Sequence, residues 1–246
     1  MNMGSVLKHF RFFVIDALYN NLGVTLTYPD NIRHNDYMWT KYGIFRFDMD
    51  EHQLRAIIFE QYPHNPHNYQ LLGTVVKKGD VVLDCGASEG YFTLMAAKNA
   101  SKVYAIEPNR KLRNLLKFNT QFHKNIEIMD FACGKENGTI MLDDNGIGSR
   151  ILENGDYEVP LRTLDSVFYD MEKKIDYIKA DIEGTEEDLL RGADKIIRRD
   201  APDISVCIYH STNNASSMEE FLKSIRPDYV IKRNSKVLHA HLPRKA

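Results

Sequence analysis

The chain has 246 residues, 43% hydrophobic and 27% charged, with 32 Lys+Arg against 34 Asp+Glu for a formal net charge of −2. That is the make-up of one globular α/β domain with a decorated end, and it lacks the basic footprint of a nucleic-acid binder. Cys85, Cys133 and Cys207 are odd in number and far apart, so buried, reduced thiols of a cytoplasmic chain are expected rather than a disulfide framework or a CxxC metal site.

Val6 to Leu18 is rich in Phe, Val, Ile and Leu, but Lys8, His9, Arg11 and Asp16 interrupt the run. A membrane span needs about 20 mostly apolar residues and a secretory leader needs a small-residue cleavage site, so a packed helix over Ser5 to Asn20 is expected instead, with a helix lying on a membrane surface as the alternative. A strand follows at Gly43–Met49, then a helix from Glu51 to Gln61. Tyr62-Pro63-His64-Asn65-Pro66 stops that helix, because each proline fixes its own φ and restricts its predecessor. Tyr62, His64, His67 and Tyr69 cluster there; aromatics of this kind can line a pocket, but the two prolines favour a surface turn, and that is the expectation.

From Gly79 onward the pattern is alternation. Apolar strands are expected at Val81–Cys85, Val103–Ile106, Ile126–Met129, Ile175–Ala180 and Ile204–Tyr209. Leu112, Leu115, Leu116 and Phe122 form one helical face between them; Leu189, Leu190, Ala193, Ile196 and Ile197 form another. Thr185-x-x-Asp188 and Ser216-x-x-Glu219 have capping-box spacing. Such alternation implies a mostly parallel sheet with helices on both faces, and ligands bind at the carboxyl ends of its strands. Gly138 to Val167 breaks the pattern. Thr139–Leu142 and Tyr157–Leu161 read as strands around a Gly/Asp/Asn-rich loop, Asp143 to Gly148, a hairpin-like insertion beside the site.

The strongest signal is Val81-Val82-Leu83-Asp84-Cys85-Gly86-Ala87-Ser88-Glu89-Gly90, an apolar strand ending in an acid before a Gly-rich turn. Glycines let a ligand approach the backbone, and the helix start supplies free N–H donors. The order Asp-x-Gly-x-x-x-Gly is not the dinucleotide GxGxxG, and an acid here repels pyrophosphate while suiting an ammonium or ribose hydroxyls. S-adenosylmethionine carries those groups and no phosphate. Val103-Tyr104-Ala105-Ile106-Glu107-Pro108 ends the next strand in an acid 23 residues after Asp84, placed to accept both ribose hydroxyls. Asp130-Phe131 ends the third strand, where a carboxylate and an aromatic ring suit the adenine amino group and ring.

These residues resemble motif I of class I S-adenosylmethionine-dependent methyltransferases, and more narrowly the FkbM family. The matching pieces are Asp84 to Gly90, Glu107-Pro108-Asn109, Thr163-Leu164-Asp165-Ser166, Ile175 to Glu186 with its Asp181-Ile182-Glu183-Gly184 block, and Leu190-Arg191-Gly192-Ala193. The resemblance runs from about Leu54 to His241, and the first fifty residues are individual to this chain. Cys85 and Ser88-Glu89 depart from the Ile and Asn common in the family, but the glycines stay. The resemblance implies a Rossmann-like, mostly parallel seven-stranded sheet with helices on both faces and methyl transfer to a hydroxyl of a sugar, glycan or small metabolite; the helices read ahead of it make an N-terminal helical extension.

On this reading Asp84, Gly86, Ala87, Gly90, Glu107, Pro108, Asp130 and Phe131 hold S-adenosylmethionine. The acceptor side falls to Asp181 and Glu183 at the end of the fourth strand and His210 at the end of the fifth. A histidine near neutral pKa is a natural base for a hydroxyl, while a carboxylate there can orient the acceptor, tune His210 or hold a divalent cation with it; the sequence assigns no metal. Glu183 and Glu186 also precede a helix, which acids stabilise without any other role. Residues 1–70 form the extension, a candidate cover for the acceptor, and residues 71–246 the methyltransferase domain. The competing readings are a non-catalytic S-adenosylmethionine-binding module and a nicotinamide-dependent oxidoreductase. Nucleic-acid methylation would show an Asn-Pro-Pro-Tyr-like block, which Asp181-Ile182-Glu183-Gly184 does not match.

Overall fold

The computed structural model describes residues 37–40, 43–47, 59–60, 65–143, 155–210 and 214–243. The chain divides into two compact units, Met1–Arg55 and Ala56–Ala246. In the first, β1 (Tyr37–Thr40) pairs antiparallel with β2 (Gly43–Arg46). The helix expected over Ser5 to Asn20 lies outside the described residues, as do Tyr62 and His64; of the helix expected at Glu51 to Gln61, Phe59 and Glu60 are described and helical.

The second unit is built on β3 (Val81–Cys85), β4 (Lys102–Ile106), β5 (Ile126–Met129), β9 (Tyr177–Ala180), β10 (Asp203–Cys207), β11 (Val230–Arg233) and β12 (Val237–His241). These strands lie in the order β11-β12-β10-β9-β3-β4-β5, a seven-stranded sheet in which β12 runs antiparallel to both β10 and β11. All five residues of β3 are buried, as a parallel strand covered on both faces requires. Side chains alternate across it. Val81, Leu83 and Cys85 join one apolar cluster with Leu189, Leu190, Ile196, Ile197, Met218 and Leu222, while Val82 joins the opposite one with Phe92, Ala96 and Tyr177. From β3 the chain winds to one edge through α1 (Tyr91–Ala97), β4, α2 (Arg110–Thr120) and β5, then returns to β9 on the other side of β3. The carboxyl ends of β3 and β9 therefore flank the point where winding reverses, the crevice in which such sheets bind ligands.

The insertion is a small sheet of its own. β6 (Ala132–Cys133), β7 (Gly138–Leu142) and β8 (Tyr157–Arg162) lie in the order β6-β8-β7, with β7 and β8 antiparallel as expected and β6 added parallel to β8. It meets the start of α2 through Tyr157, whose hydroxyl accepts from the backbone N–H of Arg110 at 3.1 Å, and whose ring lies 4.2 Å from the Arg110 guanidinium.

Three local readings change. Phe122 is not on a buried helical face: α2 ends at Thr120, and Phe122 is 88% exposed. The helix expected across Leu189 to Ile197 is two helices, α4 (Glu186–Arg191) and α5 (Asp194–Asp200). Asp165, in α3 (Leu164–Phe168), makes the break: its carboxylate accepts from the N–H groups of Lys195 and Ile196 at 2.9 Å each, and its own N–H donates to the Gly192 carbonyl. Neither capping box forms. The Thr185 hydroxyl donates backward to the Ile182 carbonyl, and Asn214, not Ser216, caps α6 (Ala215–Ile225) by accepting from Ser216 and Ser217. Among the described residues no helix is long and apolar enough to cross a membrane.

Candidate active site

The turn after β3 is shaped by close approach. Gly86 has φ +74°, and a Cβ there would overlap the backbone carbonyl of Asp181, so the position admits only glycine. The N–H groups of Gly86 and Ala87 both donate to the Ile106 carbonyl at 3.0 Å, tying the turn to the end of β4. Gly90, at φ +96°, begins α1. Beside the turn, Glu107 is buried, its Oε2 accepting from the Ser88 N–H and its Oε1 from the Asn109 N–H, each at 2.8 Å. Burial pushes its carboxyl up to about 7, although those N–H donors pull the other way. Each oxygen keeps a second lone pair for a further donor.

Asp84 faces inward. Its side chain is wholly buried, with Oδ1 3.1 Å from the Lys179 ammonium and Oδ2 accepting from the Thr93 hydroxyl at 2.5 Å. Lys179 also donates to the carbonyls of Cys85 at 3.3 Å and Gly86 at 2.6 Å. Burial alone would depress this ammonium's pKa, but the Asp84 and Asp181 carboxylates outweigh it and hold the lysine charged. The pair thus braces the Gly-rich turn from beneath. Lys179 lies within the matched block yet was not among the expected site residues. The available signal was a lysine inside Tyr177-Ile178-Lys179-Ala180, since a cation in a buried strand needs a buried counter-charge, and Asp84 is the acid of the adjacent strand.

Pro108 is half-buried, Asp130 is exposed, and Phe131 is packed into the main apolar core with Cys133 and Leu164. Cys85, Cys133 and Cys207 are buried thiols and form no disulfide.

Asp181, Glu183 and His210 come together. His210 Nε2 lies 3.7 Å from Asp181 Oδ1 and 3.5 Å from Glu183 Oε2, and its Nδ1 lies 3.1 Å from Glu186 Oε1. Glu183 and Gly184 both have positive φ, +59° and +105°, so the chain turns sharply between β9 and α4 and folds its acids back over the strand ends. Glu186, expected only as a helix-starting acid, is fully buried and also accepts from the Ile182 N–H at 3.0 Å. Although burial disfavours the imidazolium, the hydrogen bond and charge of Glu186, with Asp181 and Glu183, raise the pKa of His210. The Asp181 carboxyl is held low: burial opposes its charge, but Lys179, the Tyr69 hydroxyl, His67 and His210 prevail.

The surface turn expected around His67 and Tyr69 is not what these two residues form. Both are buried, and the Tyr69 hydroxyl donates to Asp181 Oδ2 at 2.7 Å. Its backbone carbonyl accepts from the hydroxyls of Tyr177 at 2.5 Å and Ser205 at 2.6 Å, which fasten the segment to β9 and β10. His67 is held between Glu60, 2.9 Å from Nδ1, and the Tyr69 hydroxyl, 3.3 Å from Nε2.

Asp181 joins the two halves: its N–H donates to the Cys85 carbonyl at 3.1 Å, its own carbonyl abuts Gly86, and its carboxylate enters the His210 cluster. A family model for the FkbM methyltransferase domain matches residues 84–230, which include every one of these groups except Tyr69, His67 and Glu60. The chain belongs to the FkbM methyltransferase family.

Among solved structures, the FkbM methyltransferase of Methylobacillus flagellatus KT is similar at a TM-score of 0.55 and 20% identity, over 78% of this chain and 56% of that one. This FkbM-family chain therefore spans little more than half the length of that protein. Fibrillarin of Aeropyrum pernix, solved with natively bound S-adenosyl-L-methionine, is similar at a TM-score of 0.46 and 13% identity, over 88% of this chain and 98% of that one. An rRNA methylase of Streptococcus thermophilus is similar at 0.44 and 15%, over 69% and 90%. The fold is that of the class I Rossmann-like methyltransferases. No curated protein matches the chain by sequence.

Proposed function

We propose that this chain is a cytoplasmic S-adenosylmethionine-dependent methyltransferase acting on a hydroxyl of a sugar, glycan or small metabolite. The observation that carries the reading is the junction at Asp181, where a Gly-rich turn flanked by a buried carboxylate meets a polar cluster within one residue. Glu107 takes the ribose hydroxyls on its free lone pairs. Gly86, Ala87 and Gly90 shape the methionine end, Pro108 lines the ribose, and Asp130 marks the adenine end, whereas the Phe131 ring, expected to cover the adenine, is packed into the apolar core instead. Asp84 acts through Lys179, holding the turn's carbonyls in place. Three buried thiols that form no disulfide suit a reducing compartment.

In the reaction the sulfonium–methyl bond breaks as the oxygen–methyl bond forms, and the acceptor hydroxyl loses its proton. Asp181, Glu183 and His210, with Glu186 behind the imidazole, stand on the side where that proton leaves. The hydroxyl preference rests on family resemblance and on the fit of this cluster to an O–H group.

Calorimetric titration with S-adenosylmethionine, S-adenosylhomocysteine and NAD tests the cofactor. Binding of the two sulfur compounds and not NAD is expected; NAD binding alone would overturn the reading. Methyl transfer to a panel of hydroxyl acceptors then separates a catalyst from a binding module.

A further inference from the structure

Three carboxylates surround one imidazole at the end of β9, and two of them, Asp181 and Glu186, each keep one oxygen without a hydrogen-bond partner among the described residues. His210 Nδ1 is matched to Glu186 Oε1 at 3.1 Å, whereas Nε2 stands 3.7 Å from Asp181 Oδ1 and 3.5 Å from Glu183 Oε2, too far to hydrogen-bond either. Two acceptor atoms of the cluster, Asp181 Oδ1 and Glu186 Oε2, are buried with no hydrogen-bond partner among the described residues, and the Glu186 side chain is 0% exposed. Lys179, the nearby cation, is already committed to Asp84 and two carbonyls. Ligand atoms of Asp181, Glu186 and His210 all lie within 4.8 Å of one another, close enough to converge on one ion.

We propose that Asp181, Glu186 and His210 bind a divalent cation of the Mg²⁺/Mn²⁺ class, which holds the oxygen of the methyl acceptor. The donor set is two carboxylates and one imidazole, rich in oxygen and without thiolate, which favours these harder ions over a closed zinc site. Three protein ligands leave coordination positions open for an oxygen-bearing molecule. Asp181 and Glu186 are two carboxylates set around one imidazole; a divalent ion offsets both charges and offers their orphaned oxygens a partner. Glu183, the most exposed of the four side chains at 35%, stands at the rim beside the bound oxygen. Tyr69 fixes the ligand geometry by occupying Asp181 Oδ2, which turns Oδ1 toward His210. The acceptor part of this inference rests on the function proposed above; the cation part does not.

The test uses the full chain, without cofactor or acceptor, titrated with MnCl₂ and followed by calorimetry and by the electron paramagnetic resonance of free Mn²⁺. One saturable site is expected, displaced by Mg²⁺, with affinity falling at least about tenfold in Asp181→Asn and in Glu186→Gln. Should a variant fail to fold, broadening of the His210 ring resonances by bound Mn²⁺ in the unaltered chain gives the same answer. Absence of saturable binding at millimolar Mn²⁺, or binding that leaves the His210 resonances sharp, overturns the cation site. A chain that binds S-adenosylmethionine but not Mn²⁺ refutes only this inference; one that binds Mn²⁺ but not S-adenosylmethionine refutes only the cofactor reading.

Discussion

Lys179 Nζ and Asp84 Oδ1 lie 3.1 Å apart, with 5% and 0% of their side chains exposed, directly beneath the turn that opens α1. A buried pair of this kind gives little net stability over an apolar replacement, yet losing one partner leaves a stranded charge. Lys179→Met is expected to destabilise the domain by about 3–5 kcal/mol, and Asp84→Asn added to it to recover part of that loss. Urea unfolding of the two single variants and the double variant checks this; strictly additive losses would mean that the two charges do not act as a pair.

Glu107→Gln is expected to weaken S-adenosylmethionine binding by about tenfold, the equivalent of one charged hydrogen bond. Because burial pushes the Glu107 carboxyl up to about 7, its hydroxyl-accepting form grows as pH rises through neutrality. Affinity should therefore increase between about pH 6 and pH 8 in the native chain and stay flat in the variant. Calorimetry across that range decides it.

Gly86→Ala and Gly79→Ala form an informative pair. Both glycines have positive φ, but a Cβ at Gly79 meets nothing within 4 Å, while at Gly86 it meets the Asp181 carbonyl. Gly79→Ala should cost about 1 kcal/mol, the conformational part alone. Gly86→Ala should cost clearly more and abolish cofactor binding in whatever fraction folds. Equal losses of stability would remove the close approach as the reason for glycine.

His239 gives a stability signature in acid. Burial, with the neighbouring His241, lowers its pKa from 6.5 to about 4, so it stays neutral in the fold while its unfolded counterpart gains a proton. Its contribution is complete above about pH 6.5 and is lost as pH falls toward 4, amounting to about 3 kcal/mol. His239→Asn should flatten that part of the stability–pH curve, measured by thermal unfolding in matched buffers. An unchanged acid limb would show that another group controls it.

His210→Ala is expected to leave S-adenosylmethionine affinity within about threefold of native, since the imidazole touches none of the turn, while turnover falls at least about a hundredfold. Parallel binding and single-turnover measurements separate the two effects. Native turnover in the variant would remove His210 from the reaction.

Much of this was legible because parallel strands covered on both faces are written as unbroken apolar runs. Val81–Cys85 is such a strand and has the expected bounds; the edge strand Ile126–Met129 also has them although exposed Glu127 interrupts it, and the glycine turn stood out by its spacing. What escaped the sequence was decided by partners far along the chain. Tyr69 looks like part of a proline-bounded turn, but hydroxyls from Tyr177 and Ser205, 108 and 136 residues away, draw it inside. The break between α4 and α5 is invisible to helical periodicity because Leu189 to Ile197 stay on one buried side; Asp165 imposes it from another helix. Phe122 satisfied the periodicity that α2 does not extend far enough to use.

Asp181 is shared by two neighbourhoods, and that sharing constrains how the protein can diversify. Its amide and carbonyl belong to the turn, while Oδ2 takes the Tyr69 hydroxyl and Oδ1 faces the His210 cluster, so a change at this residue disturbs both neighbourhoods at once. A lineage that shifts to a new acceptor has to leave this residue alone and rewrite exposed positions around it, such as Glu183 and Tyr209, or the β7–β8 hairpin. Innovation is thereby confined to the rim, and the centre is inherited as a single unit.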